Sequence, residues 1–254
     1  DIEKRILGPF LARRAIRRID TAVISHPNLD HYSALPDLTE HHSLKRFFTS
    51  PHFTLEGSKS GTAARLLDEM QTLSLRHHEV VKGDRLTGTG EVSIEVLWPP
   101  PCREMVIRES NNTSLVLRLT YAGKRILFCG DIEQMAQEHL LAMGDLKVDV
   151  MILPHHGSAK TTLPAFIAAT NPEYCIRSSG QPDVESHPGL FRLMEGRRYF
   201  NTADDGAVEV RMTPAGLSVR PWLDRSNQRR GNQRMIMPAE PGPSEKFPLR
   251  PEIE

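Results

Sequence analysis

Three short apolar runs, each ending in a tight group of histidine or aspartate, constrain this chain more than any other feature. Residues 19–24 lead into Ser-His-Pro-Asn-Leu-Asp-His at 25–31. Residues 125–129 lead into Gly130-Asp131, and residues 148–153 into Pro154-His155-His156-Gly157-Ser158. Nearly unbroken apolar and β-branched residues over five or six positions predict buried strands. Polar groups just past the ends of such strands sit where open α/β architectures gather their sites. Each group alone has a structural explanation. His26, Asp30 and His31 could cap a loop, Asp131 could cap the helix expected over 132–143, and His155 with His156 could form a turn allowed by Gly157. Recurrence at three strand ends favours a shared ligand cavity instead. Imidazole nitrogen with carboxylate oxygen suits zinc, or manganese where carboxylates are added.

The remaining pattern frames these runs. A helix is expected over 6–19, broken early at Gly8-Pro9, then a short helix over 33–39, a strand over 44–49 and a helix over 62–73. A half-buried strand over 91–97 stops at Trp98-Pro99-Pro100-Pro101. Residues 114–121 and 125–129 pair across Gly123-Lys124. Helices follow at 162–169 and 187–195, a strand at 174–178, and a closing hairpin of 198–201 with 207–211. Strands that alternate with helices and also form hairpins predict mixed sheets with helices outside. Five prolines and scattered charge predict a disordered tail over 224–254, which leaves 1–223 as the folded domain.

Charge excludes little. Lys plus Arg and Asp plus Glu are 32 each, so the whole chain does not advertise a nucleic-acid partner. Lys4, Arg5, Arg13, Arg14, Arg17 and Arg18 make a local basic excess that could face phosphate or only solvent. Cys129 and Cys175 fall in apolar runs and read as buried thiols. No run of eighteen apolar residues occurs, so no membrane-spanning segment is expected here. The chain starts at Asp1, which implies processing or a piece of something longer. Asn112, Ser158 and His187 are candidates for substrate contact, with loop-holding the alternative for Asn112 and capping by Ser186 the alternative at the 187–195 helix. His41-His42 and His77-His78 read as surface histidines outside any strand.

Taken in order, VISHPNLDHYSALPDL at 23–38, NNTSLVLRLTYAGKRILFCGD at 111–131, MILPHHGS at 151–158, His187-Pro188 and TADDGAV at 202–208 resemble the metallo-β-lactamase superfamily. Within it they are most similar to the hydrolase-like domain at the C-terminal end of the ComEC/Rec2 competence proteins, over residues 15–222. The resemblance implies an α/β fold, an αβ/βα sandwich of two mixed sheets with outer helices. The family's usual opening strands have no counterpart here, so a sheet edge is expected to be left for an upstream portion or a partner.

Carried over by position, His26 matches the first metal-motif histidine and Asn28 takes the place of the second. Asp30 and His31 match the pair serving a second metal, Asp131 the bridging aspartate, and His155, with His156 behind it, the late histidine. One or two Zn2+ or Mn2+ ions are implied, with the position containing neutral Asn28 weak or empty. The implied activity is metal-assisted phosphodiester hydrolysis by a nuclease acting on single- or double-stranded DNA in competence-related uptake, with Asp30 and His187 catalytic. The chain would then be a soluble piece attached to the bacterial cytoplasmic membrane through an upstream channel portion. Two alternatives stay open: a degenerate scaffold domain, and a hydrolase of a small ester, lactone or nucleotide.

Overall fold

The structure is a computed structural model that describes residues 3–57, 61–87, 90–183 and 186–223; the expected tail over 224–254 lies outside them. The chain enters through a π turn (Glu3–Leu7) and α1 (Gly8–Arg13), then runs through β1 (Thr21–Val23), α2 (Leu29–Tyr32), α3 (Leu35–His42), β2 (Arg46–Thr49), α4 (Pro51–Gly57), α5 (Gly61–Thr72) and β3 (Arg76–Glu79). The three strands form one parallel sheet in the order β1-β2-β3. The helix expected to reach residue 19 stops at Arg13. Ala15 turns left-handed (φ 54°) and donates to Ala12 O, while Ile16 N–H closes onto Leu11 O at 2.9 Å. This is the stop usually made with glycine, so no residue type announced it.

Two other expectations change here. The run over 19–24 reads as a buried strand, yet Val23 is 38% exposed, because β1 is an edge strand. His77 and His78, expected outside any strand, lie in β3. Arg-His-His-Glu carries no apolar residue to mark a strand. Packing supplies the reason: His77 stacks on Phe47 with ring centroids 4.5 Å apart, and His78 on Phe48 at 5.1 Å.

The second sheet is built from β4 (Arg85–Thr87), β5 (Ser93–Trp98), β6 (Val116–Tyr121) and β7 (Lys124–Phe128), then, after α6 (Gln134–Leu141), from β8 (Val150–Ile152). Beyond α7 (Pro164–Thr170) come β9 (Tyr174–Arg177), α8 (Pro188–Leu193), β10 (Arg198–Asn201), α9 (Thr202–Asp205), β11 (Val208–Thr213) and β12 (Gly216–Pro221). Seven strands run in the order β10-β9-β8-β7-β6-β5-β4, parallel from β10 to β7 and antiparallel from β7 to β4. The expected closing hairpin does not form. β10 pairs parallel with β9, while β11 pairs with β12 across Pro214 and Ala215. The cause lies between them: α9, with Asn201 as its cap, separates β10 from β11.

Period-two alternation sorts residues to the two faces of this sheet. Leu127, Met151 and Cys175 join Ile132, Ala136, Leu140, Phe166, Ile167 and Leu190 under α6, α7 and α8. Ile126, Val150, Tyr174 and Ile176 point the other way, under the β11–β12 hairpin. Phe48 and Val80 pack with Val96, Leu115 and Leu117, which brings the three-stranded sheet onto that same face. Tyr32, Leu35, Phe53, Ala63, Leu66 and Met70 cover the outer face of the three-stranded sheet. The result is an αβ/βα sandwich. One sheet is mixed, as expected; the other is wholly parallel, and a separate two-stranded hairpin completes the layer. Each fully buried large apolar side chain in such a core contributes about 1.5–3 kcal/mol. Cys129 and Cys175 are buried free thiols, and burial pushes both pKa values up, Cys175 to about 12.

Candidate metal centre

Backbone ties draw the three strand-end loops into one corner. Leu115 N–H donates to Ser25 O (2.9 Å), Asp131 N–H to Ser114 Oγ (3.0 Å) and His155 N–H to Gly130 O (3.0 Å). Gly130 (φ +54°) sits at the junction. A Cβ there would lie 2.8 Å from Ser114 Cβ and 3.1 Å from Ser25 Cβ, so no larger residue allows the loops this close.

The side chains then close a ring. Asp131 Oδ2 is 3.3 Å from His31 Nε2 and 3.4 Å from His156 Nε2. Asp30 Oδ2 is 3.4 Å from His31 Nε2 and 3.5 Å from His156 Nε2. Acid and imidazole alternate around this ring of four atoms. Ligands about 2.0–2.1 Å from a tetrahedral cation stand roughly 3.3–3.4 Å from one another, and these four edges match that spacing. The ligating atoms that lie mutually within 4.8 Å form two triads, His26 with His31 and Asp131, and Asp30 with His31 and His156. His26 joins from behind, its ligating nitrogen within 4.8 Å of those of His31 and Asp131. Nε2 of His26 is buried without a hydrogen-bond partner. Orphaned buried nitrogens are costly unless something takes their lone pairs. The cluster could therefore coordinate a divalent ion, and its nitrogen and oxygen donors suit zinc or manganese.

Neighbours aim the imidazoles. His156 Nδ1 is 2.8 Å from Ser178 O, which fixes the proton on Nδ1 and leaves the Nε2 lone pair facing the ring. Ser25 Oγ lies 3.1 Å from His26 Nδ1 and 3.0 Å from His31 Nδ1, so one hydroxyl orients both. Burial, joined by the nearby His31, pushes the His26 pKa down to about 4 and keeps that ring neutral. Burial also opposes a charge on His31, but the Asp131 carboxylate outweighs it and the pKa rises. Asp131 is held below the usual carboxylate range, because the His31 contact outweighs the burial that would raise it.

A family model described as the beta-lactamase superfamily domain matches residues 2–171. The chain belongs to the beta-lactamase superfamily. This superfamily member is 26% identical over 231 residues to ComE operon protein 3 of Bacillus subtilis (strain 168), covering 88% of this chain and 29% of that protein. It is 26% identical over 182 residues to competence protein ComA of Neisseria gonorrhoeae, covering 71% of this chain and 23% of that protein. The chain thus spans less than a third of either relative. Among solved structures, the metallo-beta-lactamase fold protein YhfI from Bacillus subtilis overlays with a TM-score of 0.48 and 11% identity, over 77% of this chain and 79% of that one. A histidine and aspartate cluster on this superfamily's fold supports a metal-dependent hydrolase.

Other expected residues of the superfamily domain lie differently. Asp131 is not a helix cap. α6 starts two residues later than expected, and its free N–H groups are served by Asn112 Oδ1, which accepts from Glu133 N (2.9 Å) and Ala136 N (3.4 Å). Asn112 is 3% exposed, and its side-chain oxygen is spent on these two N–H groups. The preference for His155 over His156 reverses in the geometry. His155 is directed at other partners, with Nδ1 3.2 Å from Glu133 Oε1 and 3.4 Å from Thr161 Oγ1. Asn28 donates its amide to Asn111 Oδ1 (3.2 Å), and Asn111 donates to Glu133 Oε1 (2.9 Å). His187, not Ser186, caps α8, its Nδ1 accepting Gly189 N–H at 3.0 Å. Ser158 uses its carbonyl to receive both Thr162 N–H and Thr162 Oγ1–H.

Ser25, Ser178, Glu133 and Arg177 were not singled out from the sequence. Ser25 adjoins His26 and could have been suspected; the others act through folded contacts alone. Among the described residues, no helix is long and apolar enough to cross a membrane.

Proposed function

We propose that this domain is a metal-dependent phosphodiesterase that cleaves DNA during competence-related uptake. The observation that carries the hydrolytic part is the four-atom ring of Asp30, His31, Asp131 and His156 at metal-ligand edge lengths. The partial likeness to competence protein ComA, and to ComE operon protein 3, supports DNA as the substrate. In this reading the domain serves a longer protein held at the cytoplasmic membrane, and residues up to 223 form one unit.

The site is open on one side. His26 and Asp131 are buried at its floor, while the side chains of Asp30 and His156 are 62% and 41% exposed at its mouth. Asp30, His31, Asp131 and His156 would hold one ion. A bound divalent cation supplies Lewis acidity and makes water a usable nucleophile near neutral pH. Asp30, at the mouth, is placed to accept a proton from entering water. His187 spends Nδ1 on its own helix, so its remaining proton sits on Nε2 and would be donated to an anionic oxygen of the substrate. Its helix start borders the ligand loop, since a Cβ on Gly189 would meet Ala159 Cβ at 3.4 Å. The basic first segment contributes less, because Arg14 pairs with Glu209 (3.1 Å), Arg18 with Asp20, and Arg13 stacks over Trp222.

One observation favours a second reading, a non-catalytic scaffold. Asn28 is neutral and its amide is engaged by Asn111, which leaves His26 without the neighbour needed for a second ion. The test is elemental analysis of protein purified without added metal, paired with cleavage of single- and double-stranded DNA in zinc and in manganese. One equivalent of metal, with cleavage lost in Asp131→Ala, is expected. Cleavage unchanged in that variant, or no metal bound, overturns the proposal; one equivalent without turnover establishes the scaffold.

A further inference from the structure

We infer that Arg177 is the positioning residue of the metal centre, fixing the direction of His156 and tying its loop to the one that carries His187. The inference rests on the proposed function, in which His156 is a ligand.

Arg177 closes β9 and is 5% exposed, an unusual place for a guanidinium without a task. Its Nε–H donates to His156 O at 2.9 Å. One Nη donates to Ser186 Oγ, and the other to Gln181 Oε1 at 3.0 Å. Asp183 Oδ1 lies 3.8 Å away and offsets the buried charge. The aliphatic stem matters too. A Cβ on Gly157 would fall 3.1 Å from Arg177 Cγ and 3.2 Å from Cδ, so the side chain lies flat against that glycine.

The turn it touches needs holding. His155 (φ 47°), His156 (φ 52°) and Gly157 (φ 73°) are three consecutive left-handed residues, a conformation that side-chain-bearing L-residues avoid. Without an external hold, His155 and His156 would relax and carry the Nε2 of His156 away from Asp30 and Asp131. Two adjacent residues at the end of β9 supply that hold at both ends of His156. Arg177 takes its backbone carbonyl, and Ser178 O takes its ring Nδ1–H. The opposite arm of the same guanidinium grips Ser186, the residue before His187. A planar fork with several fixed donors can serve both loops at once; the single ammonium of lysine cannot.

The test uses the whole chain, stripped with EDTA and titrated with Mn2+ or Zn2+ by calorimetry, with Co2+ absorption as a report on ligand geometry. Arg177→Gln is expected to weaken affinity about 10–100-fold, the usual cost of losing a partner behind a ligand, and to alter the Co2+ spectrum. Arg177→Lys falls between that variant and wild type, and carries the comparison if Arg177→Gln does not fold. Asn201→Ala is the control for plain destabilisation. Asn201 is buried in the same polar network, bonded to Gln181 O, Asp183 Oδ1 and Asp204 Oδ2, without touching His156. It should lower Tm while leaving metal affinity and the Co2+ spectrum as in wild type. Arg177 variants that bind as wild type does, or an Asn201→Ala variant that loses as much affinity, overturn the assignment. A wild-type chain that takes no metal overturns the metal reading itself.

Discussion

Acidifying the metal-free protein should destabilise it through His26, and the size of the effect follows from its burial. The ring is fully enclosed, and its pKa falls from 6.5 to about 4. An unfolded chain therefore takes up a proton on this histidine below pH 6.5 that the folded chain refuses until about pH 4. Between those limits the unfolded state binds more protons, so stability falls as pH falls. At 1.36 kcal/mol per pH unit, the loss is about 2 kcal/mol by pH 5 and about 3 kcal/mol by pH 4, a sizeable share of a typical domain's stability. His31, whose pKa is raised, acts in the opposite sense: its stabilisation is present below pH 6.5 and is lost above its folded pKa. Its share is common to both proteins in a comparison with His26→Gln, where position 26 cannot titrate. Urea unfolding of the EDTA-treated proteins at pH 7 and pH 5, followed by circular dichroism, isolates the His26 contribution. Wild type should lose about 2 kcal/mol more than the variant over that interval. Equal losses in the two proteins would refute the argument that burial holds His26 neutral.

Two further outcomes follow from the geometry. His156→Ala should abolish stoichiometric metal binding, as measured by calorimetry, because it removes one of four ring atoms, whereas His155→Ala should retain it; the reverse ranking would return the ligand role to His155. Gly130→Ala places a Cβ against Ser114 and Ser25 at a positive φ, and should cost about 2–4 kcal/mol in chemical denaturation while also weakening metal binding. A variant as stable as wild type would show that the loops do not depend on that close approach.

Local residue order was enough to locate where polar chemistry meets the core. Apolar alternation is a local property, so 125–129, 148–153 and 174–178 could be read as strands. Asp131 and the His155-His156 pair could be placed at their ends. Folding had to decide everything that depends on contacts between distant segments. Arg-His-His-Glu became β3 because Phe47 and Phe48 offered faces on which to stack, and β10 joined β9 in parallel because α9 turned the chain away from a hairpin. Asp131 was free to face the imidazoles because Asn112, nineteen positions upstream, capped the helix instead. Which of two adjacent histidines enters the ring was equally invisible in the chain. Backbone angles at 155–157 set it, and Arg177 and Ser178 hold those angles through contacts that exist only once β9 lies beside the loop.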